Sequence, residues 1–196
     1  MSALLVEELI QRTKNLSIEE TLAFLANEFS EKVVFSTSFG QEDQVITALI
    51  ATNELPIKIF TLDTGRLFQE TYDVFHKTLK KYKVTIQTFY PETSQVENLL
   101  NTKGPNSFYE SVENRKECCF IRKVVPLKKG LAGNKVWITG LRAEQSENRN
   151  DLALLNTMPI LISSNSILYS NGLWLRCKNI LMTIMCHKTA CTRKGL

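Results

Sequence analysis

The stretch VVFSTSFGQEDQVITALI, residues 33–50, carries the first residues whose types and spacing could do chemistry. An apolar β-branched run gives way to Ser36, Ser38, Phe39 and Gly40, and Glu42 and Asp43 follow where a helix begins. Small hydroxyl side chains and a glycine at a strand-to-helix turn are the parts of an anion site. The first backbone N–H groups of a helix have no partners within it, and they point at whatever sits beyond its end. Gly40 allows close approach of a ligand or a positive φ. An ordinary turn, with Ser38 or Gln41 as helix cap, uses the same residues. It is not a Walker loop, because no Gly-Lys-Ser/Thr follows.

Three further stretches add to it. TLDTGRLFQETYD places Asp63, Thr64, Gly65 and Arg66 at the end of a second apolar run. Asp63 can accept hydrogen bonds from a ribose or an adenine, or cap a helix; Arg66 can face a phosphate or sulfate. ECCFIRKVVPL holds the vicinal Cys118 and Cys119, with Arg122 and Lys123 one turn on. Adjacent thiolates do not easily share one mononuclear site but can serve a larger iron–sulfur cluster, which needs four ligands. Nearby cations such as Lys123 favour thiolates and tune a cluster. Two half-buried helical cysteines are the alternative. ITGLRAEQSENR follows a third such run with Arg142, Gln145, Ser146 and Arg149, a set suited to a sulfate or phosphate, or simply to a solvated loop.

The elements that must position these residues are legible in the pattern. Two short helices come first, the second opened by Ser17 with Glu20 in a capping-box spacing. Strands are expected at 32–38, 57–64, 84–90 and 135–142, and helices at 42–53, 68–82 and near 94–101. Strands alternating with helices imply an α/β fold, a parallel sheet with flanking helices, whose ligands bind beyond the carboxyl ends of the strands. The three loop motifs all fall there.

Bulk properties narrow the class. A chain of 196 residues, 43% hydrophobic and 22% charged, suits a globular domain with a real core. No run of eighteen apolar residues is present, and the acidic, amphipathic start lacks the form of a signal peptide, so a cytoplasmic protein without a membrane span is expected. The net charge of +4 is dispersed, which suits a small anionic substrate better than a nucleic acid. Five cysteines (Cys118, Cys119, Cys177, Cys186 and Cys191) in such a chain point to metal or redox use rather than a disulfide framework.

STSFGQED, TLDTGRLFQETY, CCFIRKVVPL and VWITGLRAEQSENR occur in order, and over residues 32–151 the chain resembles the adenylyl-sulfate and phosphoadenylyl-sulfate reductase family. The resemblance implies an adenine-nucleotide α-hydrolase-like (PP-loop) fold. It implies reduction of the nucleotide's sulfate to sulfite in assimilatory sulfate reduction, with thioredoxin, glutaredoxin or glutathione as donor. Ser36, Ser38, Phe39, Gly40 and Asp43 would form the modified phosphate loop, and Asp63, Thr64 and Arg66 would lie beside the nucleotide. Arg142, Gln145, Ser146 and Arg149 would hold the phosphosulfate. The Cys118–Cys119 pair is similar to that of the branch with a [4Fe–4S] cluster, bound by a Cys-Cys pair and a later Cys-x-x-Cys, which usually prefers adenylyl sulfate. A homo-oligomer is compatible with this reading.

The later part departs from the family pattern. An acidic-aromatic segment, Asn-Pro-Leu, Trp-Thr, a helix, a Cys-x-x-Cys loop and a nucleophilic cysteine are expected; residues 156–196 contain none of these in context. Cys186 and Cys191 are separated by four residues rather than two. Shifting the codons by one base from Asn156 onward permits Asn-Pro-Leu, Trp-Thr and an acidic amphipathic helix to be spelled. The expectation is therefore an incomplete reductase domain at 1–155 and an out-of-frame tail at 156–196, with a frameshift near Leu155. Two cluster ligands and the nucleophile would be absent, so turnover would be impaired and the cluster not assembled. The alternatives are a non-catalytic nucleotide-binding remnant and, in a third class, an ATP-dependent ligase or sulfurtransferase.

Overall fold

The computed structural model describes residues 8, 9 and 11–140. A first helical stretch leads to Ser17, which caps helix α1 (Ile18–Phe29). The capping box is complete: Glu20 N–H donates to Ser17 Oγ at 3.2 Å, and Ser17 N–H donates to Glu20 Oε2 at 2.7 Å. Ile18, Leu22, Leu25 and Ala26 recur at helical spacing and are buried.

Strand β1 (Val33–Ser36) follows, then helix α2 (Gln41–Thr52), strand β2 (Lys58–Leu62), helix α3 (Gln69–Tyr82), strand β3 (Ile86–Phe89) and helix α4 (Thr93–Lys103). Next come a 3₁₀ turn (Ser107–Tyr109) and one long helical run made of α5 (Val112–Cys119), a π-helical turn (Phe120–Val124) and α6 (Val125–Leu131). Strand β4 (Val136–Thr139) closes the described chain. Every expected strand is present but shorter. The second ends at Leu62; Asp63 N–H still donates to Phe89 O at 3.0 Å, and its carboxylate accepts from Gly65 N–H at 2.8 Å as the chain turns away. The expected strand to 142 ends at Thr139, with Leu141 and Arg142 outside the described residues.

The sheet is parallel, in the order β3-β2-β1-β4, with Phe35 aligned to Ile59 on one side and Ile138 on the other. Alternate side chains divide the core. Val33, Phe35, Ile59, Ile86, Val136 and Ile138 face α1, α2 and α3; Val34, Phe60 and Trp137 face Leu127 and Leu131 of α6. The chain steps from β1 outward to β2 and β3, then crosses to the other side of β1 for β4. The switch point therefore lies between β1 and β4, where the crevice of an open α/β sheet takes its ligand. Among the described residues no helix is long and apolar enough to cross a membrane.

Candidate functional site

The loop after β1 is built from inside. Thr37 N–H continues the sheet to Phe60 O at 2.8 Å, and Thr37 Oγ1 accepts from Phe39 N–H at 3.0 Å. That bond helps hold Phe39 at a φ of 64°, a left-handed conformation uncommon for a bulky side chain. The ring is buried and stacks on Phe75 of α3, with centroids 4.7 Å apart. The expected positive φ thus belongs to Phe39 and not to Gly40, which is extended at φ −64° and ψ 171°. Burial of the phenyl ring outweighs the backbone cost.

Gly40 is the N-cap residue of α2, and no side chain caps that helix, neither Ser38 nor Gln41. Instead Asp43 reaches backwards: its Oδ2 accepts from Ser38 N–H at 2.6 Å and from Ser38 Oγ–H at 2.8 Å. Asp43 is buried. Burial raises its carboxyl above the ordinary range, and the bonds from Ser38 and from the Gly40 and Gly140 backbone pull the other way. Asp43 is thereby a brace of the loop at the N-terminus of α2. Ser36, the last residue of β1, accepts Trp137 Nε1–H at 2.7 Å, so its hydroxyl oxygen is tied to β4.

The loop after β2 is clamped from three sides. Asp63 is buried and accepts from Gly65 N–H and from Tyr72 Oη–H, each at 2.8 Å. It is not a helix cap; Phe68 holds that position for α3. Arg66 donates to Pro105 O and, at 3.3 Å, to Asn106 Oδ1, and stacks over Phe108 at 4.6 Å. Its guanidinium, expected to face an anion, is engaged by the 104–108 turn, a partner some forty residues on that no local pattern reveals. From the third side Arg122 Nη1 donates to Thr64 O at 2.6 Å.

Cys118 is half-buried and Cys119 exposed, both at the end of α5 and both free. Lys123 is exposed on the π-helical turn beyond them. A [4Fe–4S] cluster needs four ligands. Among the described residues the two thiols stand alone, and no group of three His, Cys, Asp or Glu could hold a metal. The described residues therefore do not complete that group. Arg142, Gln145, Ser146, Arg149 and the whole 156–196 segment lie outside the described residues. Thr37, Tyr72 and Trp137 are loop-shaping residues that the sequence reading missed. Only the Thr37-x-Phe39 spacing carries a local signal, that of a hydroxyl turn.

A parallel α/β sheet with uncapped helix amides and hydroxyls at its switch point is the architecture of a nucleotide-binding domain. The description "phosphoadenosine phosphosulfate reductase domain" matches residues 32–160, and the chain belongs to that family. It is 48% identical over 134 residues to the adenosine 5'-phosphosulfate reductase of Agrobacterium fabrum, covering 68% of this chain and 51% of that protein. It is 41% identical over 140 residues to the enzyme of the same name from Allochromatium vinosum, covering 71% and 54%. The chain thus spans about half the length of the curated relatives it matches. A crystal structure of phosphoadenylyl-sulfate reductase from Candida auris, a phosphate complex, superposes with a TM-score of 0.62 at 27% identity, covering 74% of this chain and 70% of that one. The fold is of the PP-loop type, and the family's chemistry is sulfate reduction.

Proposed function

We propose that the protein binds adenylyl sulfate, or its 3'-phosphorylated form, at the carboxyl ends of β1, β2 and β4. The intact activity releases sulfite and AMP, or the 3'-phosphorylated AMP. The observation that carries the reading is the uncapped N-terminus of α2 beside Ser38 at the β1/β4 switch point, in a chain of this family. Backbone N–H groups there suit the phosphosulfate, and Asp43 keeps Ser38 in place. Arg142, Gln145, Ser146 and Arg149 are assigned to the same anion, and Asp63 and Thr64 to the shape of the nucleotide edge. Cys118 and Cys119 are half of a cluster ligand set, with Lys123 as its cation.

In the chemistry proposed, a thiolate attacks the sulfuryl sulfur, an S–S bond forms and the S–O bond to the nucleotide breaks. A thiol of thioredoxin or glutaredoxin then attacks the enzyme sulfur, sulfite departs with the electron pair, and a second donor thiol resolves the mixed disulfide. No described residue is assigned as that nucleophile. We also propose that the frame shifts near Leu155, so that turnover by this chain is impaired and the setting is cytoplasmic assimilation. The family match stops at residue 160, which supports a second reading, a nucleotide-binding remnant.

Calorimetry of the full chain with adenylyl sulfate, paired with sulfite release under thioredoxin and dithiothreitol, tests these readings. Binding with sulfite supports the reductase, and binding without sulfite supports the remnant. A folded chain with no affinity for adenylyl sulfate overturns both. Sequencing codons 150–160 decides the frame.

A further inference from the structure

Arg122 is the least expected side chain of the fold. It sits on the π-helical turn, is 7% exposed, and donates from Nη1 to Thr64 O, while its Nε–H is buried without a partner. Among the described residues no carboxylate pairs with it. Nη1 would lie 3.3 Å from a Cβ placed on Gly65, so the guanidinium lies directly against the turn at Gly65.

We propose that Arg122 is a positioning residue whose buried charge is the counterpart of an oxyanion, sulfuryl or phosphoryl, bound at the Asp63–Arg66 loop. The inference rests on the reading of the strand ends as a sulfonucleotide site and deepens it.

Holding one carbonyl needs only a neutral donor. A buried cation with no carboxylate in ion-pair contact is costly, and an orphaned N–H adds to that. The cost is recovered when an anion arrives, because charge interactions are screened little inside the protein. Arg66, the other arginine of the loop, is exposed and its guanidinium is engaged by Pro105, Asn106 and Phe108. Among the described residues near the loop, the inward cation is therefore Arg122. The π-helical turn aims it there, by shifting the side chains after Cys119 off α-helical register.

The test compares the full chain with R122Q, which keeps a donor for Thr64 O, and R122K, which keeps the charge. Unfolding midpoints are measured in chloride, sulfate and phosphate at matched ionic strength. The general salting-in or salting-out effect is common to all three proteins and cancels in the comparison. The expected result is an extra rise in sulfate or phosphate for wild type, largely kept in R122K and lost in R122Q, with R122Q at least as stable in chloride. Adenylyl sulfate affinity falls by about tenfold in R122Q. Equal oxyanion increments in wild type and R122Q overturn the inference, and so does an R122Q chain that fails to fold in chloride. An Arg122-dependent oxyanion increment without any nucleotide binding leaves the inference standing and overturns the sulfonucleotide reading. The sulfate and phosphate arms, with AMP beside adenylyl sulfate, distinguish which oxyanion is held.

Discussion

Asp43 and Gly140 meet across the switch point, the carboxylate of the α2 residue lying where a side chain after β4 would begin. A Cβ on Gly140 would overlap the carboxylate and lie 3.0 Å from Asp43 N. G140A therefore either moves Asp43 off Ser38 or pushes β4 from β1. The expected cost is about 1–3 kcal/mol, read as a lower urea midpoint with an unchanged slope. Wild-type stability in G140A would mean that the two loops are not in contact.

Asp43 also gives the protein a pH signature. Its folded carboxyl lies above the ordinary value of 3.8, chiefly through burial. Its contribution to stability is fully present below that ordinary value and is lost as pH rises through the folded one. Unfolding free energy of wild type minus D43N should accordingly decline with rising pH across that window and be level above it. D43A, which strands Ser38 N–H and hydroxyl, should cost about 1–3 kcal/mol by urea titration at neutral pH.

Tyr72 and Asp63 predict a spectroscopic effect. The hydrogen bond to Asp63, then desolvation and the charge of Asp63, raise the Tyr72 phenol above its ordinary 10.0. One tyrosine should ionise late in an absorbance titration, and that late component should vanish in Y72F and move toward ordinary pH in D63N. The stability linked to it is present below 10.0 and is lost as pH rises through the elevated value.

Gly130 lets α6 lie on the sheet. A Cβ there would sit 2.7 Å from Phe60 Cε2 and 3.0 Å from two more ring atoms, and Phe60 is fully buried. G130A should lose about 1–3 kcal/mol. In an F60L background the loss should shrink, giving a coupling of about 1 kcal/mol in a double-mutant cycle. Additive losses would place the strain elsewhere.

What could be read from the chain was what depends on neighbours in sequence. Runs such as Val33–Phe35 and Ile59–Thr61 announced buried strands, and Ser17 with Glu20 announced the start of α1, because these signals lie within one turn or one pleat. The loops after β1 and β2 lie at the ends of adjacent parallel strands, as expected, for the same reason, whereas Arg142, Gln145, Ser146 and Arg149 lie outside the described residues. What stayed hidden was which side chains they spend on each other. Arg66 finds Asn106 forty positions away, Arg122 finds Thr64 fifty-eight away, and Trp137 finds Ser36 across β4. Phe39 took the left-handed conformation offered to Gly40 because Phe75 of α3 awaited its ring, a tertiary preference that overrides the local one.

The turn Phe120–Val124 acts as a gear between two ends of one helical rod. Each residue of an ordinary helix advances the next by about 100°. Excising one position between Cys119 and Arg122 would restore an uninterrupted α-helix, yet swing Cys118 and Cys119 around the axis relative to Arg122. Shortening there by a single codon should thus leave helical content almost untouched while changing the angle between the thiols and the guanidinium that donates to Thr64 O.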